Sequence, residues 1–553
     1  MKKHAVALFA GLLILAIAAP LFAETYIDGM VFYRPRIYKN TDFLGNNPSV
    51  NDERILPILA LGAGYKAEDY AEAYFKLFTL GHGNALGVGY GGTQTDGSEI
   101  YHEFALTQAW FDVKIPYTPV HWRVGRYAQS LGHGFYYNTG AYGGDGMKLW
   151  APIGPVRIDL GYTKMNESYH FSEDIDQYYL QVAGSVAEKT QISGAFQWFE
   201  GRNISVKNLP KRGQYQDITH VFTVWDPYVE ADSHIWTLGV AADGAAGIVS
   251  YRAEAVYAGG KLVDDIVFDP DQEFADGIAK DVSKTDLARE ESISGFALLA
   301  GATVAPIPQV TVTVEGAYGS GDKRQRVVSN WDEIDTDPTD PMLGFNSKRV
   351  RNVGSGGRYE GFKVPMAQWG RSVWFDEYSF YPGSFTGDPF DFAGPFGLGV
   401  NKNQGGSKYT AAWTQRGLEN LMYLTVGATY TPVTPLTLGI DVFKLWATQA
   451  TPKGGFDPDS RILFKKKQSK DLGWEVDLTA KWTLNKNFAV TGAFAPWWPG
   501  SYFKVPKGSR VLVTEEDEEL NLYDTDTYHW KEIPKTSDPE WGWIARANCV
   551  FTF

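Results

Sequence analysis

Along most of this 553-residue chain, short runs alternate apolar and polar residues at every second position. Val249, Tyr251, Ala253, Ala255 and Tyr257 lie opposite Ser250, Arg252 and Glu254. Val156, Ile158, Leu160 and Tyr162 oppose Arg157, Asp159 and Thr163. Leu472, Trp474, Val476, Leu478, Ala480 and Trp482 face away from Glu475, Asp477, Thr479 and Lys481. A strand sends successive side chains to opposite faces, so each run is a strand with one greasy face. The last residues end the same way: Trp541, Trp543, Ala545, Ala547, Cys549, Phe551 and Phe553 share one face. Such an edge in water would invite aggregation, whereas a barrel wall in lipid uses it.

Turn chemistry orders these runs. Trp150-Ala-Pro-Ile-Gly-Pro-Val156, Val304-Ala-Pro-Ile-Pro-Gln-Val310 and Tyr430-Thr-Pro-Val-Thr-Pro-Leu436 are short connectors with an aromatic or apolar residue at the entrance. Long polar connectors alternate with them. The pattern predicts about eighteen strands, near 26–36, 54–65, 69–79, 101–114, 120–127, 144–151, 155–166, 176–187, 190–200, 233–242, 247–258, 292–305, 309–319, 418–431, 436–447, 470–483, 487–497 and 540–553. The expected fold is all-β: a transmembrane antiparallel β-barrel with short periplasmic turns and long extracellular loops. A barrel this wide leaves an aqueous lumen unless something fills it.

The amino terminus and composition set the compartment. Lys2 and Lys3, the apolar stretch Ala5–Ala19 and Pro20-Leu-Phe-Ala23 have the layout of a secretory signal peptide over residues 1–23. The mature barrel then spans 24–553, in the outer membrane of a Gram-negative-type cell. Loss of Lys2 and Lys3, with no acid, moves the net charge from −14 to −16. After residue 23 no apolar run approaches the ~20 residues of a membrane helix, which excludes a helical transporter. The single cysteine, Cys549, excludes an internal disulfide, a Cys-rich zinc module and covalent c-type haem. The acidic balance and lack of a phosphate-cradling loop argue against nucleic acid.

Five segments carry a family resemblance. Phe104-Ala-Leu-Thr-Gln-Ala-Trp-Phe-Asp-Val-Lys114 is followed by Trp122-Arg-Val-Gly-Arg126 and Gly144-Asp-Gly-Met-Lys-Leu149; later come Leu472-Gly-Trp-Glu-Val-Asp-Leu478 and Pro496-Trp-Trp-Pro-Gly-Ser-Tyr-Phe503. Their order resembles the alginate-export family of outer-membrane porins. The resemblance covers residues 100–165 and 470–503; Tyr127 stands where the family usually has Gln, and 320–417 is a 98-residue insertion. It implies an eighteen-strand barrel passing an anionic polysaccharide. Fold transfers more safely than substrate.

The polar faces supply candidate pore-lining residues. Arg123 or Arg126, with Lys148, Arg157, Arg252, Lys481 and Arg546, are set against Asp159, Glu254, Glu315, Glu475 and Asp477. That lumen is mixed in sign, whereas a polyanion path calls for a surplus of cations. Segment 320–417 is a long loop or plug, in which Lys348, Arg349, Arg351 and Arg358 accompany Trp369 and Trp374, a combination suited to sugar or anion contact. Strands near 359–380 are an alternative reading of it. Asp332, Asp335, Asp337 and Asp340 could offer oxygens to a structural calcium, without the EF-hand pattern. No other cofactor is implied.

An enzyme is not expected. Ser130, His133 and Asp145 at the lumen rim come nearest to a catalytic set, but the nucleophile-elbow pattern is missing. The expected function is passage or export of a hydrophilic solute, a saccharide or polysaccharide included. The alternative is a barrel sheath around a multihaem cytochrome in an electron conduit. Expected partners are lipid and lipopolysaccharide, the insertion machinery acting through the Phe553 strand, and a periplasmic export partner or the cytochrome.

Overall fold

A computed structural model describes residues 23–39, 52–68, 70–79, 104–134, 136–139, 144–167, 174–207, 228–263, 266–267, 291–321, 325–328, 350–353, 358–359, 362, 418, 420–450, 456–457, 462–463, 465–515, 527–536 and 538–553. Eighteen strands build the wall. They are β1 (Ala23–Lys39), β2 (Asp52–Ala67), β3 (Ala71–Thr79), β4 (Phe104–Lys114), β5 (His121–Tyr127), β6 (Gly144–Ile153), β7 (Val156–Glu167), β8 (Asp174–Ala187) and β9 (Thr190–Lys207). There follow β10 (Tyr228–Ala246), β11 (Val249–Val263), β12 (Glu291–Ile307), β13 (Val310–Gly319), β14 (Leu421–Val433), β15 (Leu436–Ala447), β16 (Asp471–Asn485), β17 (Phe488–Pro499) and β18 (Gly542–Thr552). Each pairs antiparallel with its sequence neighbours, and β1 pairs with β18 to close the ring. The chain is a closed antiparallel barrel of eighteen strands.

Closure is completed by the terminal residue. Gly29 N–H donates to the Phe553 carbonyl at 3.0 Å, and Phe553 N–H donates back to Gly29 at 3.1 Å. The Phe553 ring lies over Gly29, where an added Cβ would come within 2.1 Å of it. With its last edge paired, the ring offers no open strand to the bilayer.

All eighteen expected strands are present, with ends shifted by several residues. The ladder runs further into the short connectors than the proline-rich sequence suggests: Ile153 pairs with Val156 and Ala246 with Val249, leaving two-residue turns. Gly154 and Gly247 occupy those turns at φ of 61° and 60°, a conformation that suits tight hairpins. β9 and β10 extend beyond the expected ends, pairing out to Lys207 and Tyr228.

The usual burial order is inverted. Leu180, Leu238, Val240, Leu298, Val426, Ile440 and Leu478 are exposed on the outside. Trp122, Tyr251, Tyr430 and Trp482 lie outward towards the short turns, and Tyr178, Phe296, Trp474 and Trp498 towards the other end. This is an aliphatic band between aromatic girdles. Gln177, Gln197, Thr237 and Glu475 are fully buried inside. One expectation about facing fails at β16. Leu445 pairs with Gly473 and Trp446 with Asp471, so Leu472 is an extra residue in a bulge, and it is buried rather than outward with Trp474.

Short strands decorate the ends away from the turns. Gln325–Val328 pairs with Val350–Val353, and Arg358–Tyr359 adds in parallel to Ser292–Ile293 of β12. Phe362 is buried, and its N–H bonds the Ser320 carbonyl at 2.7 Å. The described parts of 320–417 thus include short strands that are not staves of the barrel; the rest of that segment lies outside the described residues. A small sheet of Phe456–Asp457, Ile462–Leu463, Arg510–Glu515 and Thr527–Glu532 joins the β15–β16 and β17–β18 connectors.

The inverted wall makes a direct prediction. Leu180→Arg, placed on the outer face midway along β8, should lower folding stability in lipid vesicles by about 2–4 kcal/mol. Guanidinium titration followed by tryptophan fluorescence measures it. A loss as small as that of Leu180→Ala would contradict the assignment of this face to lipid.

Candidate functional site

The inner wall of β4–β7 carries a compact ionic cluster near the short-turn end. A bulge at Thr107, skipped between the pairs Lys76–Gln108 and Leu77–Leu106, changes the facing of β4 so that Trp110 and Asp112 point inward. Asp112 is 4% exposed and accepts from Arg123 Nε at 2.9 Å and Trp150 Nε1 at 2.9 Å, with His121 Nδ1 at 3.0 Å. The Arg123 guanidinium lies 3.8 Å from the Trp110 ring centroid. Trp150 stacks on His121 at 3.9 Å and takes Arg157 at 4.4 Å. Arg157 in turn grips Asp159 through two nitrogens at 2.8 and 2.7 Å. Lys148 stands 3.7 Å from Asp159 and 5.3 Å from the Tyr127 ring. Charge-assisted, bidentate contacts of this kind fix side chains as well as balancing them.

Across the lumen the balance tips towards acid. Arg252 holds Glu315 by a close ion pair, and Tyr423 Oη donates to the other Glu315 oxygen at 2.7 Å. Glu254, Glu315, Glu475 and Asp477 are all buried in the β11–β16 wall. A recess of about 420 Å³ opens beside Asp243 and Arg252, floored by Gly301, Thr303 and Thr313.

Between these walls sits the connector from β5 to β6. Gln129–Thr139 folds as a small hairpin: Thr139 N–H bonds the Gln129 carbonyl at 2.9 Å, Leu131 N–H bonds Tyr137 at 3.1 Å, and Ser130 bridges to Asn138. Gly134 N–H closes the tip onto Leu131 at 3.0 Å. Leu131, Tyr136 and Tyr137 are buried, and burial pushes both phenols far above their ordinary pKa. Gly239 of β10 leaves the room that Tyr136 fills. His133, at the tip, reaches Glu254 and Asp243 on β11 and β10. The hairpin therefore lies against the inner wall and narrows the bore.

Of the expected pore-lining residues, Arg123, Lys148, Arg157, Asp159, Arg252, Glu254, Glu315, Glu475 and Asp477 take part in the wall just described. Arg546 and Lys481 lie on inward-facing positions, Lys481 close to the short turn after β16. Arg126 is corrected. It shares the face of Val124 and exposed Trp122, outside the barrel, where it pairs with Asp145. Asp145 is thus turned away from the lumen, and with His133 held by two carboxylates, Ser130, His133 and Asp145 form no catalytic set. Sequence reasoning missed Trp110, Asp112, His121, Trp150 and Asp243. The bulge at Thr107 hid the first two, and nothing local marks the others' partners.

Lys348, Arg349, Trp369 and Trp374, with Asp332, Asp335, Asp337 and Asp340, lie outside the described residues. Arg351 and Arg358 fall on the two short outer strands. Among the described residues no group of three or more His, Cys, Asp or Glu could hold a metal ion.

No protein-family model matches the chain, and no curated protein does, so the alginate-export resemblance gains no support from either comparison. Similar solved structures include Pseudomonas aeruginosa OccK9 (OpdG), at 10% identity over 96% of this chain and 98% of that one, with a TM-score of 0.45. Acinetobacter baumannii OccAB4 gives 9%, 96% and 98%, with 0.44. Pseudomonas aeruginosa OccK11 (OpdR) gives 8%, 96% and 96%, with 0.42. The barrel assignment stands on the closed strand order of the chain itself.

The two ion pairs involving Arg123 and Arg126 should differ in weight. Asp112→Ala removes the buried member of its pair and leaves the half-buried Arg123 without its carboxylate, which should cost about 3 kcal/mol. Arg126→Ala breaks a more exposed pair and should cost less than about 1 kcal/mol. Chemical denaturation in vesicles compares them, and equal losses would refute the inward and outward placements.

Proposed function

We propose that this chain is an outer-membrane channel for small hydrophilic solutes. The observation carrying this reading is the wall itself: greasy outside, polar and ionic inside, closed without an edge, and narrowed by the 129–139 hairpin. Such a wall hydrates a path through lipid, and a constriction lined by fixed charges filters what uses it. The mixed lining favours modest ion selectivity over a polyanion path. Cations Arg123, Lys148 and Arg157 gather on β5–β7 while Glu254, Glu315, Glu475 and Asp477 gather opposite, so neither sign owns the lumen. A saccharide fits this lining better than alginate does, since hydroxyls can use donors and acceptors on both walls. A cytochrome sheath would need a bore able to take a folded guest, and the hairpin seated at its wall speaks for solute passage instead. Export of the chain through a signal peptide over residues 1–23 belongs to the same reading.

Purified protein in planar bilayers tests it. Discrete open levels are expected, with a cation-to-anion permeability ratio within about threefold of unity in a salt gradient. Replacing 129–139 by a short Gly-Ser link should raise the open level. If neither protein opens, the channel reading fails.

A further inference from the structure

His133 sits where only one protonation state satisfies its surroundings. Its Nδ1 lies 2.8 Å from Glu254 Oε2, and its Nε2 lies 2.8 Å from Asp243 Oδ2. A neutral imidazole carries one N–H, so one of these contacts would set a lone pair against a carboxylate. The imidazolium donates from Nε2 to Asp243 and sets its positive Nδ1–H edge beside Glu254. Its backbone N–H also donates to Glu254 Oε2 at 2.9 Å, so the residue clasps that carboxylate twice. Glu254 is buried, while the Asp243 side chain is 56% exposed to the lumen.

The flanking backbone suits a movable tip. Gly132 and Gly134 hold φ of 54° and 87°, and a Cβ at Gly132 would lie 1.8 Å from Glu254 Oε1. Behind them, Tyr136 and Tyr137 anchor the hairpin in the wall. The charged groups on His133 are Asp243 on β10 and Glu254 on β11; Arg252 on β11 is the cross-strand partner of Asp243, and Tyr136 of the hairpin lies in the field of Glu254. Arg252 is occupied by Glu315 of β13 and so leaves both carboxylates to the histidine.

We propose that His133 is a proton-operated latch that pins the tip of the inward hairpin to β10 and β11, and that its deprotonation frees the tip and widens the path. The hydrogen bond to Glu254, opposed by burial and aided by Asp243, raises the pKa of His133 above the ordinary histidine value. The latch is therefore complete below that ordinary value and is lost as pH rises through the raised one. The direction is testable: the channel opens wider on the alkaline side.

Two measurements decide it, one of which needs no conduction. In planar bilayers from about pH 6 to 9.5, the wild-type open level should rise by about twofold across the His133 midpoint. His133→Gln should show the wide level throughout, and Asp243→Asn should move the midpoint to lower pH. A flat wild-type profile, or a step that survives in His133→Gln, overturns the latch. In detergent micelles, ¹⁵N-histidine NMR should show a resonance, identified by its loss in His133→Gln, with both ring nitrogens protonated at neutral pH. A neutral tautomer at about pH 6 overturns the proposal even if no channel opens. A silent channel with a doubly protonated His133 keeps the latch and sinks only the reading of the barrel as a pore.

Discussion

Lipid offers no hydrogen bonds, so a backbone crossing it must pair every amide and carbonyl within the chain. Here that demand is met by seventeen hairpin-type neighbours and one seam, where β1 meets β18. Everything else follows from the seam. With it closed, alternate side chains are sorted between hydrocarbon and water without a soluble core. The outer set needs only to be apolar. The inner set is free to be polar, provided each buried charge finds a partner.

That proviso shapes the lumen. Asp112, Asp159 and Glu315 each meet an arginine, and two of those arginines also lie on tryptophan rings. Removing one member of such a set leaves the others charged in a partly dry place, a larger penalty than the loss of any exposed pair. The inward hairpin obeys the same logic. It brings its own apolar residues and one cation to a wall that has room at Gly239 and acids at Asp243 and Glu254.

The strand pattern was legible because period-two alternation and Pro- and Gly-rich connectors are local signals, written within ten residues or so. Arg157, Arg252 and Glu254 could be assigned inward for that reason. Facing was misread where one added residue resets the count, as Leu472 does in β16, and a similar bulge at Thr107 sets the facing of β4. Arg126 was ambiguous because its strand is only seven residues long and its alternation thin. Contacts were not legible at all. Arg252 and Glu315 are 63 residues apart, Tyr423 and Glu315 108, His133 and Glu254 121. Closing the barrel creates these neighbours, and no spacing in the chain announces them.

The pairing of lumen charges has one more consequence. An ion leaving bulk water for a narrow bore loses part of its solvation, and a bare apolar or single-signed wall would turn that loss into a barrier for one or both signs. The Arg157–Asp159 and Arg252–Glu315 pairs instead present both ends of fixed dipoles to the path. An anion finds the guanidinium edge and a cation the carboxylate edge of the same pair. The wall thus acts as a substitute solvent of high local polarity, one whose molecules are bolted in place.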